Sequence, residues 1–181
     1  MAVLVAGFLL PPLPTLPDVP ELQGAAGAAL AQEINAGDVL AEVGALAPEG
    51  IEVELFNLAN RDRVSHGLPP LQLDYQLIEV ARVRAAAQPS QATLSHMDAS
   101  GQLAFVRLIA DIEVGYLRAG ENLARVSNPA HTAAERAEEA LMNSPAHRAN
   151  ILEPSFDSLV VGTAVDPSGQ IVFAQIFRAG A

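Results

Sequence analysis

The first helix of the chain is indicated by apolar residues that recur at helical spacing from residue 51. Ile51, Leu55 and Leu58 fall on one face of this segment, and Glu52 lies off it. Gly67 and the two prolines that follow would end the helix. The same spacing predicts further helices between Asp74 and Pro89, around residues 103–110, from Thr132 to Leu141, and between Ser144 and Pro154.

Strands are predicted at residues 159–165 and 171–177, with a third, shorter strand at residues 121–126. The sequence Asp-Pro-Ser-Gly at 166–169 separates the first two and is a favourable hairpin turn. Such a hairpin requires at least one antiparallel pair in the sheet.

The last strand is apolar on both of its faces. One face carries Ile171, Phe173 and Phe177, and the other carries Val172, Ala174 and Ile176. A strand of this kind is covered on both sides, because neither set of side chains can face water. Together with the helices, this pattern predicts an α+β fold: a three-layer α-β-α sandwich around a small mixed or antiparallel sheet.

The first fifty residues differ from the rest and are predicted to form an N-terminal extension, leaving one domain at residues 51–181. Residues 2–10 are apolar, residues 10–17 are rich in proline, and residues 21–46 are rich in alanine but interrupted by glycines. We favour a mobile arm with some helix. A sharper hypothesis is that residues 2–10 dock on an apolar groove of this domain or of a neighbour.

Composition excludes several classes of function. Half of the 181 residues are apolar, which is enough for a core. The formal charge is −11 and all ten basic residues are arginines, so we expect no nucleic-acid partner and repulsion from anionic membranes. The absence of cysteine removes disulfides, thiol nucleophiles and thiolate zinc sites.

Targeting signals are weak in this sequence. No apolar run is long enough to span a bilayer, so no transmembrane segment is expected. The apolar stretch at residues 2–10 lacks the basic flank of a signal peptide. Three explanations stay open: a leader was removed, the protein is exported by another route, or it stays inside the cell.

Candidate chemistry is concentrated in residues 94–152. His96 lies in a polar loop, Glu121 interrupts an uncharged segment, and His147 follows the predicted helix cap Ser144. Two imidazoles and a carboxylate can form a metal site or an acid/base site, provided that the fold brings them together. The alternatives are a solvated loop histidine, a histidine packed at a helix start and a solvated glutamate. His66 and His131 match no site motif, and we expect both at the surface.

Six short motifs follow one another over residues 51–178. They are Asn57-x-x-Asn60-Arg61 with Gly67-Leu68-Pro69-Pro70-Leu71, Ser95-His96, Gly115-Tyr116, Gly120-Glu121-Asn122-Leu123-Ala124, Asn143-Ser144-Pro145-Ala146-His147-Arg148-Ala149-Asn150-Ile151-Leu152, and Ala174-Gln175-x-Phe177. In this order they resemble the CAP superfamily of cysteine-rich secretory proteins, antigen 5 and pathogenesis-related protein 1, and in particular its bacterial SCP-like branch. The family fold, an α-β-α sandwich, agrees with the fold predicted above.

The resemblance implies a cleft lined by two histidines and two acidic residues, which holds a divalent metal in some members. Carried over, these are His96, His147 and Glu121, and the place of the second carboxylate falls at Ser144. One carboxylate is therefore missing from a symmetric site. Glu139 is near in sequence, but the pattern does not place it in the cleft.

The sequence is compatible with three functions, and no catalytic residue is assigned. The resemblance favours an extracellular or periplasmic, non-catalytic domain that binds a lipid, a sterol, a protein partner or a divalent cation (Zn²⁺, Mg²⁺ or Ca²⁺) in the cleft. The alternative is a metal-assisted hydrolase in which His96 and His147, with Glu121, would hold a metal and its water. A structural or self-associating module rests only on the N-terminal extension. The sequence leaves the oligomeric state open.

Overall fold

A computed structural model of the chain describes residues 3–9, 50–88, 93–127 and 130–180. Five α-helices and five strands lie within these residues. The helices are α1 (Gly50–Ser65), α2 (Ile78–Ala86), α3 (Ala104–Asp111), α4 (Ala133–Asn143) and α5 (Pro145–Ile151). Short 3₁₀ turns at Tyr75–Leu77 and Ala130–Thr132 precede α2 and α4.

The strands form one mixed sheet in the order β1-β3-β5-β4-β2. Their bounds are β1 Val3–Leu9, β2 Gln72–Leu73, β3 Arg118–Val126, β4 Ser158–Val165 and β5 Ile171–Ala179. Only β2 and β4 pair in parallel; the other three pairs are antiparallel. The central position of β5 explains why its sequence is apolar on both faces.

Helices cover both faces of the sheet, and the predicted three-layer sandwich is confirmed. Ile171, Phe173 and Phe177 of β5 pack with α1, α4 and α5. Ile176, on the other face, packs with α2 and α3, and Val172 lies in a smaller cluster with the end of α2. The hairpin turn is also confirmed, because the Asp166 carboxylate accepts hydrogen bonds from the backbone N–H groups of residues 168 and 170.

One close approach fixes α2 against the sheet. A Cβ atom built on Gly162 of β4 would lie 2.2 Å from the backbone carbon of Ala81 in α2. Only glycine allows backbones to approach this closely. This contact brings the last turn of α2 over the middle of the sheet, where Arg84 meets β3.

A second anchor holds the end of α5. The fully buried Arg63 side chain, at the end of α1, donates hydrogen bonds to the carbonyls of Ile151 at 2.8 Å and Glu153 at 2.9 Å. These acceptors lie at the C-terminal end of α5, where the helix dipole favours a cation. Burial lowers the pKa of Arg63. Arg63 thus fixes the helix that carries His147.

The N-terminal extension contributes one strand. Val3–Leu9 pair antiparallel with β3, from Val3 opposite Val126 to Leu9 opposite Gly120. For these residues a mobile arm is therefore the wrong interpretation, whereas docking on this domain agrees with the pairing. Residues 21–46, where we expect some helix, lie outside the described residues, and the boundary between residues 50 and 51 stays a prediction.

Candidate functional site

The candidate site is built around a carboxylate inside the sheet. Glu121 of β3 is 0% exposed, and its side chain points to the layer of α2 and α3. The Nε atom of Arg84 donates to its Oε1 at 2.7 Å, and Nη2 donates to Oε2 at 3.2 Å. Nδ1 of His96 lies 2.6 Å from the same Oε2. Both oxygens are thus engaged, as a buried carboxylate requires.

The loop that carries His96 is held by the end of α2. Nη2 of Arg84 donates to the Ser95 carbonyl at 2.7 Å. The side-chain amide of Gln88 makes two hydrogen bonds to the backbone of Ser95. It donates to the Ser95 carbonyl at 3.0 Å and accepts from the Ser95 N–H at 2.9 Å. The Ser95 hydroxyl bonds to the backbone of Met97, so it is not paired with His96 as a nucleophile would be.

The second histidine approaches from α5. His147 is buried, and its Nδ1 shares a hydrogen bond of 2.6 Å with the Ser144 hydroxyl. Ser144 occupies the position before the helix, as predicted, but its side chain makes no capping hydrogen bond. The expectation that Ser144 acts as a cap is therefore wrong, because its hydroxyl is turned to the imidazole instead. A hydroxyl thus lies at the position where the resemblance implies a second carboxylate.

The two histidines reach β3 from opposite sides. Consecutive strand residues point to opposite faces, so Asn122 faces α5 while Glu121 faces α2. The Asn122 amide donates to the His147 carbonyl at 3.2 Å. Asn150 of α5 donates to Oδ1 of Asn122 at 2.8 Å and to the Glu121 carbonyl at 3.3 Å. The structure therefore brings the side chains of His96 and Glu121 into direct contact, whereas His147 lies on the α5 face and meets Asn122 through its backbone carbonyl.

A buried polar chain extends from this site into the α4 layer. Asn122 donates to Oε1 of Gln175 at 3.0 Å, and the Gln175 amide donates to Oε2 of Glu138 at 3.2 Å. Burial, and secondarily the negative charge of Asp62, raises the pKa of Glu138 to about 8. Its neighbour Glu139, considered from sequence, is exposed on the outer side of α4.

The donor set does not fit the metal site considered from sequence. In the part of the chain that the structure describes, no group of three His, Cys, Asp or Glu side chains is arranged to hold a metal ion. A carboxylate that ligates Zn²⁺, Mg²⁺ or Ca²⁺ needs a free lone pair directed at the metal. The Glu121 oxygens are instead paired with a guanidinium, whose charge would repel such an ion.

A cleft of about 390 Å³ lies next to this cluster, within the range of small-molecule sites. Arg84 lines both the cleft and the cluster, so it connects them. The other polar residues of the cleft are Asp98, Arg107 and Asp111, and Met97 lies at its mouth with 47% of its surface exposed.

Sequence reasoning missed Arg84, Gln88 and Glu138. An arginine in an amphipathic helix is usually solvated, and its spacing gave no sign of a buried partner. Glu138 had a weak signal, since it lies four residues after Ala134 and three before Leu141, both of which are buried. His66 and His131 are exposed, as expected.

Replacing Arg84 by methionine should destabilise the fold by about 3–5 kcal/mol, because Glu121 would keep a buried charge without its main partner. Urea unfolding measures this change. The double variant Arg84→Met/Glu121→Gln should recover part of the loss. Arg107→Met, which removes an exposed arginine, should cost less than about 1 kcal/mol. Similar losses for Arg84→Met and Arg107→Met would show that the buried pair is unimportant.

Glu138 should make the stability fall as the pH rises. Its pKa is raised from 4.5 to about 8, so the folded chain keeps a proton that the unfolded chain has lost between these values. The stabilisation is complete below pH 4.5 and lost by about pH 8. At about 1.4 kcal/mol for each pH unit, the total is at most about 5 kcal/mol. Urea unfolding from pH 5 to pH 9 should show a much flatter profile for Glu138→Gln. The matched variant Glu139→Gln should keep the slope of the natural chain, and a Glu138→Gln profile that also kept it would contradict the assignment.

Comparison with known proteins finds bacterial relatives of this chain. The curated Bacillus subtilis (strain 168) protein YkwD, described as uncharacterized, is 32% identical over 111 residues, which are 61% of this chain and 41% of that protein. This chain therefore matches less than half the length of that relative.

Solved structures with the same fold come from other bacteria. An extracellular protein with an SCP domain from Bacillus anthracis (strain Ames) is 28% identical, with a TM-score of 0.58 over 71% of this chain and 40% of that one. An outer surface protein from Borrelia burgdorferi is 19% identical, with a TM-score of 0.58 over 72% of this chain and 93% of that one, and it supports the fold alone.

The sequence profile of the CAP, or cysteine-rich secretory protein, family matches residues 56–177. These residues include α2, the His96 loop, β3 and α5, which together form the site. The match extends over well more than half of the chain, although the chain itself contains no cysteine. This protein belongs to the CAP family.

Proposed function

We propose that this chain is an exported, non-catalytic CAP domain that binds a partner at the cleft beside Arg84, Glu121 and His96. The observation that carries the proposal is the pairing of Glu121. Its two oxygens accept hydrogen bonds from Arg84 and His96, and the side chain is 0% exposed. A carboxylate held in this way is a structural group that shapes a binding surface.

The alternative, a metal-assisted hydrolase, needs a carboxylate that can ligate the metal or take a proton from water. Glu121 has both oxygens engaged, and Ser144 stands at the place of the second family carboxylate. Glu121 cannot then fill the role of metal ligand or general base without breaking the Arg84 pair. The donor chemistry thus favours binding over turnover.

A protein partner suits the adjacent cleft better than a sterol or lipid. Six of its ten lining residues are apolar, but the other four are two arginines and two aspartates, whose charges a sterol or a lipid tail cannot match. Paired charges of both signs can instead match the polar groups of a peptide or a protein surface.

Export is proposed from the family and from the B. anthracis relative, whose description names an extracellular protein. In the described residues, no helix has both the length and the hydropathy needed to cross a membrane. The natural absence of cysteine is compatible with an oxidising compartment, since no thiol is present to be oxidised.

The non-catalytic part of the proposal is tested by turnover. The chain, stripped of metal and then supplied with Zn²⁺, is expected to leave casein and short peptides uncleaved, and Glu121→Gln should behave identically. Zinc-dependent cleavage that is lost in Glu121→Gln, with an unchanged circular dichroism spectrum, would establish the hydrolase instead.

The binding part is tested by photo-crosslinking. A photoreactive amino acid at position 97, on the cleft, should give a discrete adduct with an exported protein of the source organism. The matched control places it at Val165, which is 70% exposed and lies at the end of β4. Equal adducts at both positions, or none at position 97, would contradict a partner site at the cleft.

A further inference from the structure

The outer edge of the sheet lies directly beside the candidate site. β3 pairs with β5 on one side along its whole length, from Arg118 to Val126. On its other side it pairs with β1, and this register places Phe8 opposite Glu121 and Gly7 opposite Asn122. β1 also contacts α4 and α5, the helix that carries His147. The strand thus covers the backbone of the two residues on which the site is built.

An edge of this kind accepts extended peptides. A strand with neighbours on one side only presents a row of N–H and C=O groups to any chain that can align with it. Proteins that bind peptides by strand addition use these main-chain bonds for affinity and adjacent side-chain pockets for specificity. Here the adjacent features are the Arg84 and His96 cluster on one face and α5 on the other.

The strand that occupies the edge is connected by a long tether. Forty residues, 10–49, separate β1 from the start of α1. Because β1 and the domain belong to one chain, this connection holds β1 at an effective concentration on the order of millimolar. β1 can therefore leave and return without unfolding of α1 or of the sheet that follows. A second copy of the chain, at micromolar concentration, competes poorly with a strand held in this way.

The occupant also fills the edge incompletely. β3 has nine residues paired with β5, but the register with β1 covers only the seven from Gly120 to Val126. Continuing that register would place Pro11 opposite Arg118, and proline has no N–H to donate. A partner strand without proline can pair with all nine residues, which gives it an advantage over the tethered strand.

We propose that the outer edge of β3 is an acceptor for an extended, uncharged, aliphatic segment of a partner protein, and that Val3–Leu9 is a built-in competitor that the partner displaces. The chemistry of the partner segment follows from the occupant, since residues 3–9 carry no charge and are mostly aliphatic. This inference rests on the proposed function for the location of the partner site, and it adds the kind of partner and the means of regulation.

The test uses the full chain with the double substitution Val5→Pro/Ala6→Pro. Adjacent N–H groups of a strand point to opposite edges, so one of the two prolines removes an N–H that faces β3. The probe is a fluorescent synthetic peptide with the sequence of residues 2–10, flanked by lysines for solubility. Fluorescence anisotropy should show saturable binding to the proline variant and at least tenfold weaker binding to the natural chain.

Two controls accompany this measurement. A peptide with the same two prolines should not bind either protein. The variant Val5→Ile/Ala6→Val, which keeps β1 able to pair, should behave as the natural chain does. Absence of peptide binding to a folded proline variant would overturn the acceptor edge, and equal binding to both proteins would overturn the competition by β1.

Light scattering and hydrogen exchange complete the experiment. If the natural chain is a dimer and the proline variant a monomer, the occupant is a second copy, which contradicts a partner segment. If the proline variant does not fold, hydrogen exchange of the natural chain tests whether β1 is displaceable. The β3 amides that face β1 should then exchange faster than those that face β5. Equal protection of the two sets would overturn a displaceable strand. These results are independent of cleavage and of crosslinking at position 97, so each proposal can fail separately.

Discussion

The buried charge of Glu121 is the constraint on which the site depends. A carboxylate inside a sheet is strongly unfavourable unless it is paired and hydrogen-bonded. Arg84 supplies the pairing, and it can do so only because Gly162 lets α2 approach β4 at backbone distance. His96 supplies the remaining hydrogen bond, and its loop is held by the same arginine and by Gln88. Helix, strand and loop are thus positioned by one ionised group.

Much of the fold could be predicted, because it depends on patterns that repeat along the chain. The apolar residues on both faces of β5 predicted cover on both sides, and the sequence at 166–169 predicted the hairpin. These features are local or periodic, so a single sequence contains them. The strand at residues 3–9 was harder to predict, since a short apolar run fits a buried strand, a helix or a docking arm equally well.

The chemistry of the site was less predictable, because it depends on contacts between distant residues. Arg84 and Glu121 are 37 positions apart, and nothing in their spacing indicates that they meet. Ser144 has the sequence context of a helix cap. Its hydroxyl is nevertheless hydrogen-bonded to the imidazole of His147 and makes no capping bond to the helix backbone. Glu138, and not Glu139, is buried, a difference of one helical position that sets one side chain in the core and the other in water.

Two features of the chain have the same consequence for charge. Ser144 takes the position where a second carboxylate was expected, and Arg84 neutralises Glu121. One carboxylate and one guanidinium balance to zero before the histidines are counted, so the buried group needs no further cation. A divalent ion added to this set would leave an excess of buried positive charge, which a second carboxylate would have to compensate. At the position of that carboxylate the chain has a neutral hydroxyl. The buried pair therefore balances its own charge, and a partner strand that replaced β1 at the edge of β3 would leave that pair undisturbed.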